Sequence, residues 1–159
     1  MKKTIISVLL VFVFILTASV SVFAHPATIA DGTEGTGSSL ITIKKPDSAS
    51  TSTVKTKYSI TGIGSEGVSI CIYTHNGTSY VPQKNADGSV ATYTIGSSGV
   101  FYRQIALKEG ENRICVRAEA IDGKSQLCYL TITVVNSAVM TDINSFSLNM
   151  QSKLNGWLN

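Results

Sequence analysis

Three cysteines, two histidines and a sparse set of carboxylates carry whatever covalent or acid–base chemistry this 159-residue chain could perform. Cys71, Cys115 and Cys128 include no Cys-x-x-Cys spacing, and His25 and His75 stand apart from them in a Gly- and Thr-rich stretch and a loop, so no metal and no cofactor is expected. Cys71 and His75 lie four apart on one extended run, where side chains point the same way without converging, and no third group is placed to orient the imidazole as a base. Glu109 and Glu111 flank Gly110 as solvated loop carboxylates, while Asp87-Gly88 and Asp122-Gly123 have the make-up of turns. Glycoside hydrolysis needs two carboxylates facing across a cleft, which this pattern does not offer. Asp31 and Glu34 could supply oxygen atoms to calcium, but their spacing matches no recognised calcium loop. The expectation is a protein without chemistry of its own.

The ends set the compartment. Lys2 and Lys3 precede an apolar run from Ile5 to Val20 that closes on Val22-Phe23-Ala24, the pattern of a secretory signal peptide over residues 1–24; an uncleaved N-terminal anchor is the alternative. The first cysteine is Cys71, so no lipid-bearing cysteine follows the cleavage site. No later apolar run is long enough to span a bilayer, and the mature chain is expected to be secreted or extracellular, held at a cell wall only by non-covalent contacts. Losing Lys2 and Lys3 with the leader leaves 11 basic against 10 acidic residues, and the basic ones are scattered, which argues against nucleic acid as a partner.

Residues 25–39, HPATIADGTEGTGSS, hold almost no apolar side chain and read as a flexible linker. Strands are predicted at Leu40–Lys44, Val54–Gly62, Gly67–Thr74, Val90–Ile95, Val100–Leu107, Arg113–Ala120 and Leu127–Val135, with a polar Ser and Thr loop after Pro46. The clearest alternation flanks Asp122-Gly123: Ile114, Val116 and Ala118 on one side, Leu130, Ile132 and Val134 on the other, a hairpin with one buried face. Seven short strands at this spacing predict an all-β sandwich over residues 40–135. Its core is expected to hold those six side chains with Ile41, Ile43, Tyr58, Ile60, Val68, Ile70, Ile72, Phe101, Ile105 and Leu107. Gly110 is suited to turn the chain between strands of different sheets, with Asn112 bonding the loop backbone.

Ile60-Thr61-Gly62, Val68-Ser69-Ile70, Gly99-Val100-Phe101, Leu107-Lys108-Glu109-Gly110-Glu111-Asn112 and Ile132-Thr133-Val134 together resemble the bacterial Ig-like domains, in particular the type found as the B domain of glucodextranase. The resemblance implies an Ig-like two-sheet sandwich of about seven strands, and a spacer, binding or adhesion module. In such a sheet Cys71 and Cys115 lie on neighbouring strands and point away from the core, so they form the preferred disulfide; a Cys115–Cys128 bond and three reduced thiols are the alternatives, with Cys128 facing inward. The resemblance also raises carbohydrate, because Tyr73, Tyr80, Tyr93 and Tyr102 could stack on sugars, although tyrosine is equally a packing residue of strands.

Beyond Val135 the period changes. Val139, Ile143, Phe146, Met150, Leu154 and Trp157 recur at helical spacing, which predicts a C-terminal amphipathic helix within residues 136–159. The helix could cover its own sandwich or dock elsewhere; Ile143, Phe146, Met150, Leu154 and Trp157 are the expected partner-binding residues. The sequence therefore predicts a secreted, non-catalytic binding module that meets a protein partner or cell-wall glycan, with a structural subunit self-assembling through this helix as the alternative.

Overall fold

The computed structural model describes residues 25–36, 39–136, 145–151 and 153–154. Among the described residues nine strands form: β1 (Ile41–Lys45), β2 (Ser50–Thr53), β3 (Lys57–Gly64), β4 (Ser69–His75), β5 (Tyr80–Pro82), β6 (Thr92–Thr94), β7 (Val100–Ala106), β8 (Gly110–Glu119) and β9 (Ser125–Val134). One short helix, α1, lies within residues 145–154. The expected signal peptide over 1–24 and the stripe residues Val139, Ile143 and Trp157 lie outside the described residues.

The strands make two sheets, a smaller one ordered β1-β3-β7 and a larger one ordered β2-β9-β8-β4-β5, with β6 also pairing β4. The chain is an all-β sandwich with a short terminal helix. The hairpin at Asp122-Gly123 forms as predicted: β8 and β9 pair in unbroken antiparallel register from Gly110↔Val134 to Glu119↔Ser125. Gly123 supplies the positive φ of 82° that closes it.

Alternation places the core correctly. Ile60, Phe101 and Ile105 from the smaller sheet meet Ile70, Ile72, Ile114, Val116 and Ile132 from the larger in one apolar cluster, with Ile43 and Tyr58 half-buried against it. Ile95 joins this cluster although β6 ends at Thr94. It is fastened there because Ile95 N–H donates to Val68 C=O at 2.9 Å and Ile95 C=O accepts from Gly67 N–H at 2.9 Å.

Two strands were not predicted. β2 is an edge strand of Ser and Thr that pairs parallel with β9, Ser50↔Thr131 through Thr53↔Val134, where the predicted polar loop should run. Its residues bury little, so periodicity carries no trace of it, and backbone pairing with β9 places it. β5 is three residues long and ends in Pro82, which an edge position tolerates. β3 begins at Lys57, three residues later than predicted, leaving Val54 exposed.

The crossing from the smaller sheet to the larger rests on Gly110 and Asn112. Gly110 takes φ +84°, and the buried Asn112 amide ties the corner: its Oδ1 accepts Lys108 N–H at 2.8 Å, and its Nδ2 donates to Lys108 C=O at 2.8 Å, Gly110 C=O at 3.0 Å and Ile132 C=O at 3.2 Å. An Asn112→Ala chain is expected to lose about 2–3 kcal/mol of unfolding free energy, because buried backbone groups lose their partners. Chemical denaturation measures this, and an unchanged midpoint contradicts the role.

Candidate functional site

The side chains of the larger sheet that point away from the core fall into rows by register. Ser69, Glu119 and Ser125 form one row, Cys71, Arg117 and Leu127 the next, and Tyr73, Cys115 and Tyr129 a third. Cys71, Tyr73 and Cys115 are fully buried there, with Ile29 and Tyr80, in a second apolar cluster separate from the main core.

What buries them is the segment predicted to be a flexible linker. Residues 25–36 pack across this face as a strap, so the expectation of a free linker is corrected for those residues. Ile29 and Tyr80 exchange two backbone hydrogen bonds of 2.9 Å, and the Ile29 side chain is buried. Tyr73 Oη donates to Pro26 C=O at 3.0 Å on the way up the face, and Tyr129 Oη donates to Thr33 C=O at 2.5 Å on the way back. At the far end Ser125 N–H donates to Thr36 Oγ1 at 3.1 Å. Gly35 lies so close that a Cβ there would meet Ser125 O at 2.4 Å and Gln126 Cα at 2.8 Å, an approach only glycine permits. One apolar anchor and a row of polar contacts hold the strap, a pattern too sparse for hydrophobic periodicity to reveal.

Polar clusters close both ends. At one, the His25 ring is 3% exposed, with Nε2 3.2 Å from Ser69 Oγ and Nδ1 3.1 Å from an Arg117 guanidinium nitrogen and 3.7 Å from Glu119 Oε2. Arg117 also pairs directly with Glu119. This has the outline of a serine, imidazole and carboxylate line, but its polarity is reversed for catalysis. The Arg117 N–H directed at Nδ1 assigns the ring proton to Nε2, which then donates to Ser69 Oγ and holds no lone pair for the hydroxyl proton. Ser69 itself is buried. Burial, followed by the Arg117 charge, lowers the His25 pKa against the smaller opposing pull of Glu119, so the ring is held neutral.

At the other end Arg113 donates to both Asp31 oxygens at 2.6 Å, which holds the Asp31 carboxyl below its ordinary range. His75 packs edge-on to Tyr80 at 4.9 Å; its Nδ1 accepts Gly77 N–H at 3.1 Å, so the proton sits on Nε2, which faces Asp31 Oδ2 at 3.8 Å without a hydrogen-bond partner. Asp31, Tyr80, Arg113 and Tyr129 border a cleft of about 390 Å³ on this side. Among the described residues, no three His, Cys, Asp or Glu side chains group to hold a metal ion, and no helix is long and apolar enough to cross a membrane.

The preferred Cys71–Cys115 disulfide is absent: all three cysteines are free thiols. Cys71 stands opposite Arg117 and Cys115 opposite Tyr73, so the two are diagonal neighbours rather than directly paired. The alternative fails as well, because Cys128 stands opposite Val116 and packs on the main core while Cys115 faces the strap. Desolvation drives the Cys71 pKa up to about 11 and that of Cys115 up to about 12, and also raises that of Cys128, so all three stay protonated and unreactive at neutral pH.

Two surfaces remain open. Of the four tyrosines considered for sugar stacking, Tyr73 and Tyr80 are buried and Tyr93 packs on the core under Arg103, so Tyr102, 55% exposed, is the one that presents its ring. It belongs to the outer face of the smaller sheet, beside the exposed cross-strand pair Ile63 and Val100. On α1, Phe146, Met150 and Leu154 of the expected binding stripe are exposed, as is Leu148.

His25 gives the strap a pH response of definite sign. Its folded pKa lies below the ordinary 6.5, so the unfolded chain binds the proton more readily, and its contribution is complete above pH 6.5 and is lost as pH falls below it. The thermal midpoint is expected to fall across that window, and to fall less in a His25→Gln chain, where Ser69, Arg117 and Glu119 keep a neutral neighbour; equal slopes contradict the assignment. No family model matches the chain, and no curated protein matches it.

Proposed function

We propose that the chain is an exported, non-catalytic Ig-like binding module that meets a protein partner at the cell surface through α1. The observation that carries this reading is the exposure of Phe146, Leu148, Met150 and Leu154, at 68, 68, 49 and 57%. Four large apolar side chains within nine residues are costly to hold in water, at roughly 1.5–3 kcal/mol each relative to burial, and a surface of that kind ordinarily serves contact. Phe146, Met150 and Leu154 recur every fourth residue and so share one side of the helix, the arrangement by which a helix enters an apolar groove.

Two further features support binding over chemistry. The one serine and imidazole line is oriented against proton abstraction, and the thiols are buried and protonated. A protein partner fits better than glycan, because a single exposed tyrosine is a poor stacking platform. Export rests on Lys2 and Lys3, the apolar run after them and Val22-Phe23-Ala24.

Retention on purified cell walls tests this. Intact walls are expected to hold the chain, protease-treated walls to lose it, and Met150→Asp to abolish retention while the sandwich unfolds at an unchanged midpoint. Retention on protein-free wall polymer, or by the Met150→Asp chain, overturns the reading.

A further inference from the structure

The tip of the β4–β5 hairpin brings together groups that neither open surface uses. His75 ends β4, and Asn76, Gly77, Thr78 and Ser79 carry the chain to Tyr80 at the start of β5. Asn76-Gly77 is the one Asn-Gly pair among the described residues, and both members are exposed. Glycine after asparagine leaves the backbone nitrogen between them unshielded. Here φ at Gly77 is +107°, and no atom lies within 4 Å of where a Cβ would stand.

Hydrogen bonds fix the loop around the Asn76 side chain. Asn76 Oδ1 accepts N–H from both Thr78 and Ser79 at 3.0 Å, which folds the side-chain amide over the peptide that follows it and tells its oxygen from its nitrogen. Asn76 N–H donates to Ser79 C=O at 3.0 Å and ties the two ends of the loop. Gly77 N–H donates to His75 Nδ1 at 3.1 Å. The His75 ring is held for this bond, because its side chain is 10% exposed and packs edge-on against Tyr80 at 4.9 Å. Its buried Nε2 has no hydrogen-bond partner and faces Asp31 Oδ2 at 3.8 Å. An asparagine that only shapes a turn accounts for the bonds to Oδ1. It does not account for an imidazole lone pair set on the one proton that cyclisation of Asn-Gly must remove.

We propose that this loop modifies itself: Asn76 cyclises onto the Gly77 nitrogen, with His75 as the base, and is converted to aspartate and isoaspartate. The Gly77 nitrogen is the nucleophile and Asn76 Cγ the carbon it attacks. As the N–Cγ bond forms, the Gly77 proton passes to His75 Nδ1 along the existing hydrogen bond. Negative charge develops on Oδ1, where the Thr78 and Ser79 N–H groups already donate, as in an oxyanion hole. The imidazolium so formed has the Asp31 carboxylate beside Nε2, a carboxylate it shares with Arg113. Nδ1 then returns the proton to the side-chain nitrogen, the bond from Cγ to that nitrogen breaks, and ammonia leaves a succinimide. Water opens the ring at either carbonyl. The net change is asparagine and water to aspartate or isoaspartate and ammonia, with no oxidant and no cofactor. Both products place a carboxylate next to His75, and isoaspartate adds a backbone carbon to the loop that leads into Tyr80, the residue whose N–H and C=O hold Ile29 of the strap.

Peptide mapping of the full chain kept at neutral pH, with isoaspartate detected by enzymatic methylation, follows the conversion. Asn76 is expected to convert at least about tenfold faster in the native chain than in the same chain unfolded in urea, because the folded loop and not the dipeptide supplies the aligned base and the oxyanion donors. His75→Gln, which keeps a polar side chain but no base, is expected to lose that advantage, while Asn155, which also precedes a glycine, converts as it does in the parent. Native conversion no faster than unfolded conversion overturns the proposal, as does a His75→Gln chain that keeps the native rate. The comparison of native with unfolded parent needs no substitution, so it decides even where the change at His75 disturbs the hairpin.

Discussion

A sheet with apolar side chains on both faces cannot be satisfied by one partner layer, and β4 imposes that condition on this protein. Ile70 and Ile72 point into the sandwich while Cys71 and Tyr73 point out, and all four are buried. Something must cover the outer pair or leave a large apolar surface in water. Residues 25–36 meet the requirement, with Ile29 as the apolar anchor, the two tyrosine hydroxyls as backbone ties and a polar cluster at each end. The architecture is two sheets with a strap as a partial third layer.

That condition was visible before the structure, though not its solution. Ser69-Ile70-Cys71-Ile72-Tyr73 is a nearly continuous apolar run of the kind that marks a strand covered on both sides, and Cys115 repeats the signal on β8. Strict alternation assigns those outward residues to solvent or to a disulfide. The inner core, the Asp122-Gly123 hairpin and the Gly110 and Asn112 corner were legible because burial or backbone geometry dictates their residue types. The strap was not, since His25 to Thr36 is held by hydrogen bonds that leave no periodic trace. β2 escaped for the same reason.

The functional reading follows from which face is closed. The sealed face carries the titratable and nucleophilic groups, and sealing turns them to structural use: His25 as a neutral plug, Cys71 and Cys115 as protonated thiols, Arg113 and Asp31 as a clasp over Tyr80. The open face and α1 carry the exposed large apolar side chains Ile63, Val100, Tyr102, Phe146, Leu148, Met150 and Leu154, which suits contact between surfaces. Of the expected binding stripe, the structure describes the middle three residues, Phe146, Met150 and Leu154, and exposes all of them. Exposure could not be read from the sequence, because an amphipathic pattern looks the same whether the stripe covers its own sandwich or a partner.

Thiol accessibility tests the strapped face most directly. Treated with an alkylating reagent at neutral pH without reductant, the native chain is expected to leave Cys71 and Cys115 unlabelled, and to label both once it is unfolded under the same non-reducing conditions. Rapid labelling of Cys71 or Cys115 in the native chain contradicts closure by residues 25–36, and resistance to labelling after unfolding contradicts the free thiols on which the account of that face depends.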